Sequence, residues 1–266
     1  MEKKKTAIRS IICLTLGTFF LCSNGAENLE KEIISKEKTL NWGNYQISIN
    51  KHGKIVECKK ENTIIMKDMG LMAYPADKSG RLFQGGASNE CCEKEIEATT
   101  LCRENDNFIV RKKAFLGNRE HPELIKYRQE IILSPENTIE ISYEIEYMET
   151  LKWLHYGTMY PVIIPIKLIS GKGWVAEMKK GECVRAGLNP DVYNKADAVK
   201  WIYIDNGSML RLETELGEIK ISAAMPSFLR GGIEGNSTGI YVISMPRDPL
   251  IETGSSQSIK FKIILP

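Results

Sequence analysis

Histidine and cysteine are scarce in this sequence, and long apolar runs are missing beyond its first segment. Only three histidines, His52, His121 and His155, occur in 266 residues. None stands beside cysteines at the spacing of a four-ligand zinc site, so no metal is expected. Seven cysteines are present, and five of them (Cys58, Cys91, Cys92, Cys102 and Cys183) lie beyond residue 26. An odd, sparse set excludes a scaffold built on disulfides. One or two bridges could still form in an oxidising compartment, and the favoured one joins Cys91 or Cys92 to Cys102. There is no phosphate-cradling glycine loop, serine-nucleophile elbow or metalloprotease helix motif, so no cofactor is expected. The longest later apolar stretch, Val162 to Ile169, is interrupted by Pro165 and Lys167. It cannot supply the ~20 apolar residues of a membrane-spanning helix, so no transmembrane span is expected after the first segment.

The opening residues do carry a signal. Lys3, Lys4, Lys5 and Arg9 form a basic start, and Ile11 to Leu21 is an uncharged, largely apolar run. Small residues follow at Ser23, Gly25 and Ala26. This order describes a secretory signal peptide over residues 1–26, cleaved after Gly25 or Ala26. The expected location is periplasmic or extracellular. Cys22 offers a second outcome, a lipid anchor, which the bulky Phe19-Phe20-Leu21 before it disfavours. Residues 1–26 contribute +3 to a chain of net +2, which leaves the remainder at about −1. Such a balance lacks the basic footprint of a nucleic-acid binder.

The remaining ~240 residues suit one large β domain. Residues 27–41 read as a polar N-terminal linker and residues 42–266 as the domain. From Trp42 the apolar period is two. Tyr45, Ile47 and Ile49 alternate with Gln46, Ser48 and Asn50, and Lys51-His52-Gly53 turns the chain. The clearest pattern spans 125–147. Ile125, Tyr127, Gln129, Ile131 and Leu133 share one side of a strand, with Lys126, Arg128 and Glu130 on the other. Ser134-Pro135-Glu136-Asn137 is turn chemistry. Ile139, Ile141, Tyr143, Ile145 and Tyr147 then alternate with Glu140, Ser142, Glu144 and Glu146. This is a long antiparallel hairpin with one buried face. Further strands are predicted at 159–169, 174–178, 201–205, 209–214, 218–224, 240–244 and 258–265. Asn206-Gly207-Ser208 is read as a hairpin connection, and only 190–200 looks helical. So many strands with so little helix predict an all-β fold, two large antiparallel sheets packed face to face.

Three passages carry a resemblance: Asn44-Tyr45-Gln46-Ile47-Ser48-Ile49 leading to Gly53-Lys54-Ile55-Val56, the turn from Leu133 to Ile141, and the closing strand after Gly254-Ser255-Ser256-Gln257. In these the chain resembles the galactose-mutarotase-like β-sandwich family. That resemblance implies a supersandwich and a sugar-related setting. Its enzymes pass a proton to and from a sugar ring with two histidines and a carboxylate. This chain departs from that pattern. None of its histidines stands in an Asn-His or His-Gly-Gly motif, and Gln84-Gly85-Gly86 has the glycines without the histidine.

The most concentrated chemistry lies in Trp153-Leu154-His155-Tyr156-Gly157. If the segment is extended, Trp153 and His155 share a face. An aromatic plane beside an imidazole suits a pyranose, although sheet aromatics are ordinarily core. His155 and Tyr156 are the candidate proton-transfer residues. Trp153, Arg128 and Glu144 are the candidate ligand-binding residues, and Arg111, Arg128 and Lys126 could neutralise an acidic sugar. A solvated, charged sheet face accounts for Arg128 equally well and is the favoured account of Glu144. Two functions follow. One is an exported carbohydrate-binding protein with a saccharide or polysaccharide partner. The other is an epimerase, lyase or glycoside hydrolase that uses His155 in proton transfer.

Overall fold

The computed structural model describes residues 31–73, 87–88, 93–118, 121–152, 158–169, 172–178, 183–187, 207–224, 227–234, 237–244 and 250–266. In chain order the first strands are β1 (Glu32–Ile33), β2 (Lys38–Trp42), β3 (Tyr45–Ile49), β4 (Ile55–Lys60), β5 (Thr63–Met69), β6 (Met72–Ala73) and β7 (Ala87–Ser88). The middle of the chain forms β8 (Glu93–Glu104), β9 (Asn107–Leu116), β10 (Ile125–Ser134), β11 (Thr138–Tyr147), β12 (Leu151–Lys152) and β13 (Thr158–Pro165). A short helix, α1 (Ile166–Ile169), precedes β14 (Gly173–Met178), β15 (Cys183–Gly187), β16 (Gly207–Thr214) and β17 (Gly217–Ala224). Last come β18 (Phe228–Glu234), β19 (Ser237–Ser244), β20 (Leu250–Ile251) and β21 (Ser256–Ile264).

Apart from a separate two-stranded ladder of β12 with β20, the strands form two antiparallel layers. The larger runs β1-β8-β9-β10-β11-β21-β17-β16-β14-β15. The smaller runs β2-β3-β4-β5-β13-β19-β18, with β6 beside β13 and β7 beside β6. A single register pair, Gly207 with Leu229, joins the layers through β16 and β18. The fold is therefore the all-β two-sheet sandwich expected from the period-two pattern.

Aromatic side chains hold the layers together. Tyr160 of the smaller sheet lies 5.8 Å from the Tyr143 ring and 4.9 Å from the Phe261 ring of the larger one. Its hydroxyl donates to the Met69 carbonyl at 3.1 Å. Burial pushes both the Tyr160 and Tyr143 hydroxyls above the ordinary tyrosine range, so both remain protonated donors. Trp42 packs beside Tyr45 and donates its indole N–H to the Ser134 carbonyl at 2.9 Å. Each buried side chain of this size contributes about 1.5–3 kcal/mol by leaving water.

The 125–147 hairpin folds in the register its pattern implies. Pairing runs from Ile125 with Tyr147 to Ser134 with Thr138, which leaves Pro135-Glu136-Asn137 as a three-residue turn. Asn137 takes the left-handed conformation, with φ 57°, that closes such a turn. The inward residues Ile131, Leu133, Ile139, Ile141 and Tyr143 are all buried. Their neighbours Lys126, Arg128, Glu144 and Glu146 face water.

The structure corrects several expectations. Strand β13 stops at Pro165 and the chain turns into α1, because proline has no N–H for a strand partner to accept. Gly207 and Ser208 belong to β16 rather than to a hairpin turn. Within the expected linker, β2 pairs with β3 and β1 with β8, and Ile34 and Leu40 are buried. Cys102 is a free, buried thiol whose single S–H has two acceptors in reach, Glu104 Oε1 at 3.4 Å and the Ile109 carbonyl at 3.7 Å. Burial pushes that thiol's pKa up. The expected strand at 201–205 and the helical stretch at 190–200 lie outside the described residues. Among the described residues, no helix is long and apolar enough to cross a membrane.

Candidate functional site

The outer face of the larger sheet is a lattice of charges set by strand register. On β9, β10 and β11 the rungs read Lys113-Arg128-Glu144 and Arg111-Glu130-Ser142. Lys126 stands opposite Glu146, and Glu140 opposite Lys262 of β21. Directly opposed residues of opposite sign form ion pairs. Lys126–Glu146 closes to 2.9 Å, Lys262–Glu140 to 2.6 Å and Lys113–Glu97 to 3.2 Å. Arg111 is held from two sides, by Glu130 at 2.7 Å and Glu104 at 3.0 Å. These bonds, Glu130's first, raise the Arg111 pKa further.

Two hollows open on this face. Small side chains at Ser142, Ser222 and Ala224 leave a groove of about 400 Å³ across β10, β11, β21 and β17. Its walls carry carboxylates, Glu130 and Glu140, and ammonium groups, Lys260 and Lys262. Donors and acceptors in balance around a shallow trough can exchange hydrogen bonds with hydroxyls. The second hollow, about 700 Å³, lies over β8, β9 and the end of β1 and includes Arg128 in its lining.

The candidate residues Arg128 and Glu144 are thus neighbours on adjacent strands. Their groups meet at 4.0 Å, beyond hydrogen-bond range, and both side chains are about two-thirds exposed (67% and 70%). Such a loose, solvated pair contributes little to folding. Arg128→Ala and Glu144→Ala should each change the unfolding free energy by less than about 1 kcal/mol in urea melts. Trp153, His155 and Tyr156 lie outside the described residues.

Sequence reasoning missed a second polar assembly, which sits between the layers. Lys112 faces inward from β9, in line with Val110, Ala114 and Leu116, and its side chain is 1% exposed. Its ammonium reaches Glu93 Oε1 at 3.2 Å, Glu95 Oε2 at 2.7 Å and the Lys51 carbonyl at 3.4 Å. Three acceptors match its three N–H donors. Glu93 also meets His52 Nδ1 at 2.9 Å and accepts from the Tyr127 hydroxyl at 2.5 Å. Beside it, Gln129 is wholly buried. It accepts from the Tyr143 hydroxyl at 2.8 Å and donates to the Gly53 carbonyl at 2.7 Å. The available signal was the polar residue breaking each inward alternation, Lys112 on β9 and Gln129 on β10. The remaining histidine, His121, meets Glu149 at 3.1 Å in a separate loop. Among the described residues no group of three His, Cys, Asp or Glu side chains could hold a metal ion.

No protein-family model matches this chain, and no curated protein matches it. Solved structures do. The galactose 1-epimerase of Lactobacillus acidophilus NCFM superposes with a TM-score of 0.55 at 8% identity, over 89% of this chain and 98% of that one. The Slr1438 protein of Synechocystis gives 0.53 at 10% identity, over 86% and 95% of the respective chains. A GalM/aldose epimerase homologue from C. elegans gives 0.50 at 10% identity, over 88% and 98%. Identities this low speak to architecture alone, and that architecture is the galactose-mutarotase-like β-sandwich.

Proposed function

We propose that this chain is an exported saccharide-binding protein that holds its ligand on the outer face of the larger sheet. The observation that carries the reading is the groove between Glu130, Glu140, Lys260 and Lys262, floored by Ser142, Ser222 and Ala224. It offers charged donors and acceptors around open space in a fold shared with a protein named galactose 1-epimerase. The basic, apolar opening segment motivates export. Trp153 is proposed as the platform on which a pyranose stacks, with Arg128 and Glu144 hydrogen-bonding its hydroxyls. The likeness to an epimerase fold motivates a second reading, in which His155 and Tyr156 move a proton on the bound sugar.

A glycan array followed by calorimetry tests the proposal. Wild-type protein should retain at least one saccharide. Ser142→Trp should fill the groove and abolish that binding, while the melting temperature stays near the wild-type value because the position faces water. Trp153→Ala should weaken binding by about 1–3 kcal/mol, the scale of losing a hot-spot aromatic. Unchanged binding in both variants would place the site elsewhere. In the enzymatic reading His155→Ala loses turnover and keeps binding.

A further inference from the structure

We propose that the larger hollow is a subsite for an anionic group, a carboxylate or sulfate on a saccharide whose neighbouring residues lie in the adjoining groove. This inference rests on the saccharide-binding reading and adds the class of sugar.

The hollow has a backbone cause. Strand β8 pairs Glu95 with Ala114, Glu97 with Lys113 and Thr100 with Arg111. Five steps along β8 thus match three along β9, so β8 carries two extra residues and bulges away from its partner. The space opened is about 700 Å³, edged by Lys31 and Ile33 next to and within β1, and lined below by Arg111, Lys113 and Arg128.

Its charge differs from that of the groove beside it. The groove balances Glu130 and Glu140 against Lys260 and Lys262. Among its lining side chains the hollow sets three solvent-reaching cations, Lys31, Lys113 and Arg128, against one carboxylate, Glu97. Lys112 also borders it, but its ammonium is consumed inward by Glu93 and Glu95. Arg111 borders it too, but is held by Glu130 and Glu104, so it forms a fixed edge whose charge is already met. Lys113 and Arg128 are looser, because their partners Glu97 and Glu144 are 67% and 70% exposed. Exposed pairs of this kind are worth so little that a ligand anion can replace the partner at small cost. A guanidinium is also shaped to grip a carboxylate or sulfate through two parallel hydrogen bonds.

The two hollows adjoin. Glu130 borders the groove, and its ion-pair partner Arg111 borders the hollow. From Ser222 on β17 to Arg111 on β9 the path crosses four strand spacings, about 19 Å, which is the reach of an oligosaccharide and not of a single sugar.

The test is calorimetry on the chain lacking residues 1–26, at two salt concentrations. The probes are an oligogalacturonate, a sulfated galactan oligomer, a neutral galactan oligomer of equal length and a single-stranded oligonucleotide. One acidic saccharide should bind about tenfold tighter than the neutral one, with the advantage shrinking as salt rises. The carboxylate and sulfate arms separate the two anion sources. The double variant Lys113→Glu, Arg128→Glu should collapse the acidic-to-neutral ratio to about one, and its melting temperature reports that the fold is kept. Binding of the neutral oligomer alone, or a ratio untouched by charge reversal, would overturn the subsite and leave the saccharide-binding reading standing. Binding of neither saccharide class would overturn the subsite, and the glycan array then decides the saccharide-binding reading by itself. Oligonucleotide binding as tight as that of the acidic saccharide would also overturn the inference, since the hollow would then be a general polyanion patch.

Discussion

Replacing Lys112 with methionine is expected to lower the unfolding free energy by about 3–5 kcal/mol, the cost of removing one partner from a buried ion pair. The lysine ammonium sits between Glu93 and Glu95, and the Glu93 side chain is 3% exposed. Without Lys112, Glu93 keeps the Tyr127 hydroxyl and the His52 ring but loses its close permanent cation. Methionine fills the volume, so packing is not the main loss. A double-mutant cycle separates charge from shape. In the Lys112→Met background, Glu93→Gln should cost much less than in the wild type, because it removes the stranded charge. Chemical denaturation of the four proteins measures the coupling. Equal costs of Glu93→Gln in both backgrounds would show that the pair is not coupled.

The second large effect is expected at Gln129. Gln129→Leu should destabilise by about 2–6 kcal/mol, since it strips an acceptor from the Tyr143 hydroxyl and a donor from the Gly53 carbonyl, at about 1–3 kcal/mol each. The site cannot relax easily. Gly53 stands in the left-handed region, with φ +70°, and a Cβ there would lie 2.8 Å from Gln129 Nε2. Turn and side chain are therefore packed against each other without slack. Adding Tyr143→Phe to Gln129→Leu should recover part of the loss, because both ends of one hydrogen bond are then gone. If the double variant is as unstable as the two single losses added together, the hydrogen bond is not the source.

These two sites also show what could be read from the residues alone. The hairpin from Ile125 to Tyr147 was legible because β11 keeps an unbroken alternation, β10 departs from it only at Gln129, and the turn holds proline and a residue tolerant of positive φ. Strands β8 and β9 were not foreseen. Two bulges break the period of β8, and an inward lysine breaks that of β9, so neither presents a clean alternation. The pairing of Arg128 with Glu144 follows from strand register and was within reach as a shared polar face. The approach of His52 to Glu93 was not, since the two come together only when the β3–β4 turn of one layer packs on β8 of the other. Local pattern reports which way a side chain points, and only the tertiary fold reports what it meets.

The position of β21 has a consequence for the order of folding. This strand lies between β11 and β17, yet it is synthesised after every other strand described. Until residues 256–264 leave the ribosome, β11 and β17 each expose an edge that later partners β21, and the larger sheet exists only as two unjoined halves. Completing it requires contacts distant in sequence, such as Thr138 with Ile264, and folds dominated by such contacts form slowly. Unpaired edges also invite pairing with other chains while they wait. The larger sheet is therefore closed only once its last strand is available, and a chain lacking residues 256–264 would lack the piece that makes two half-sheets into one.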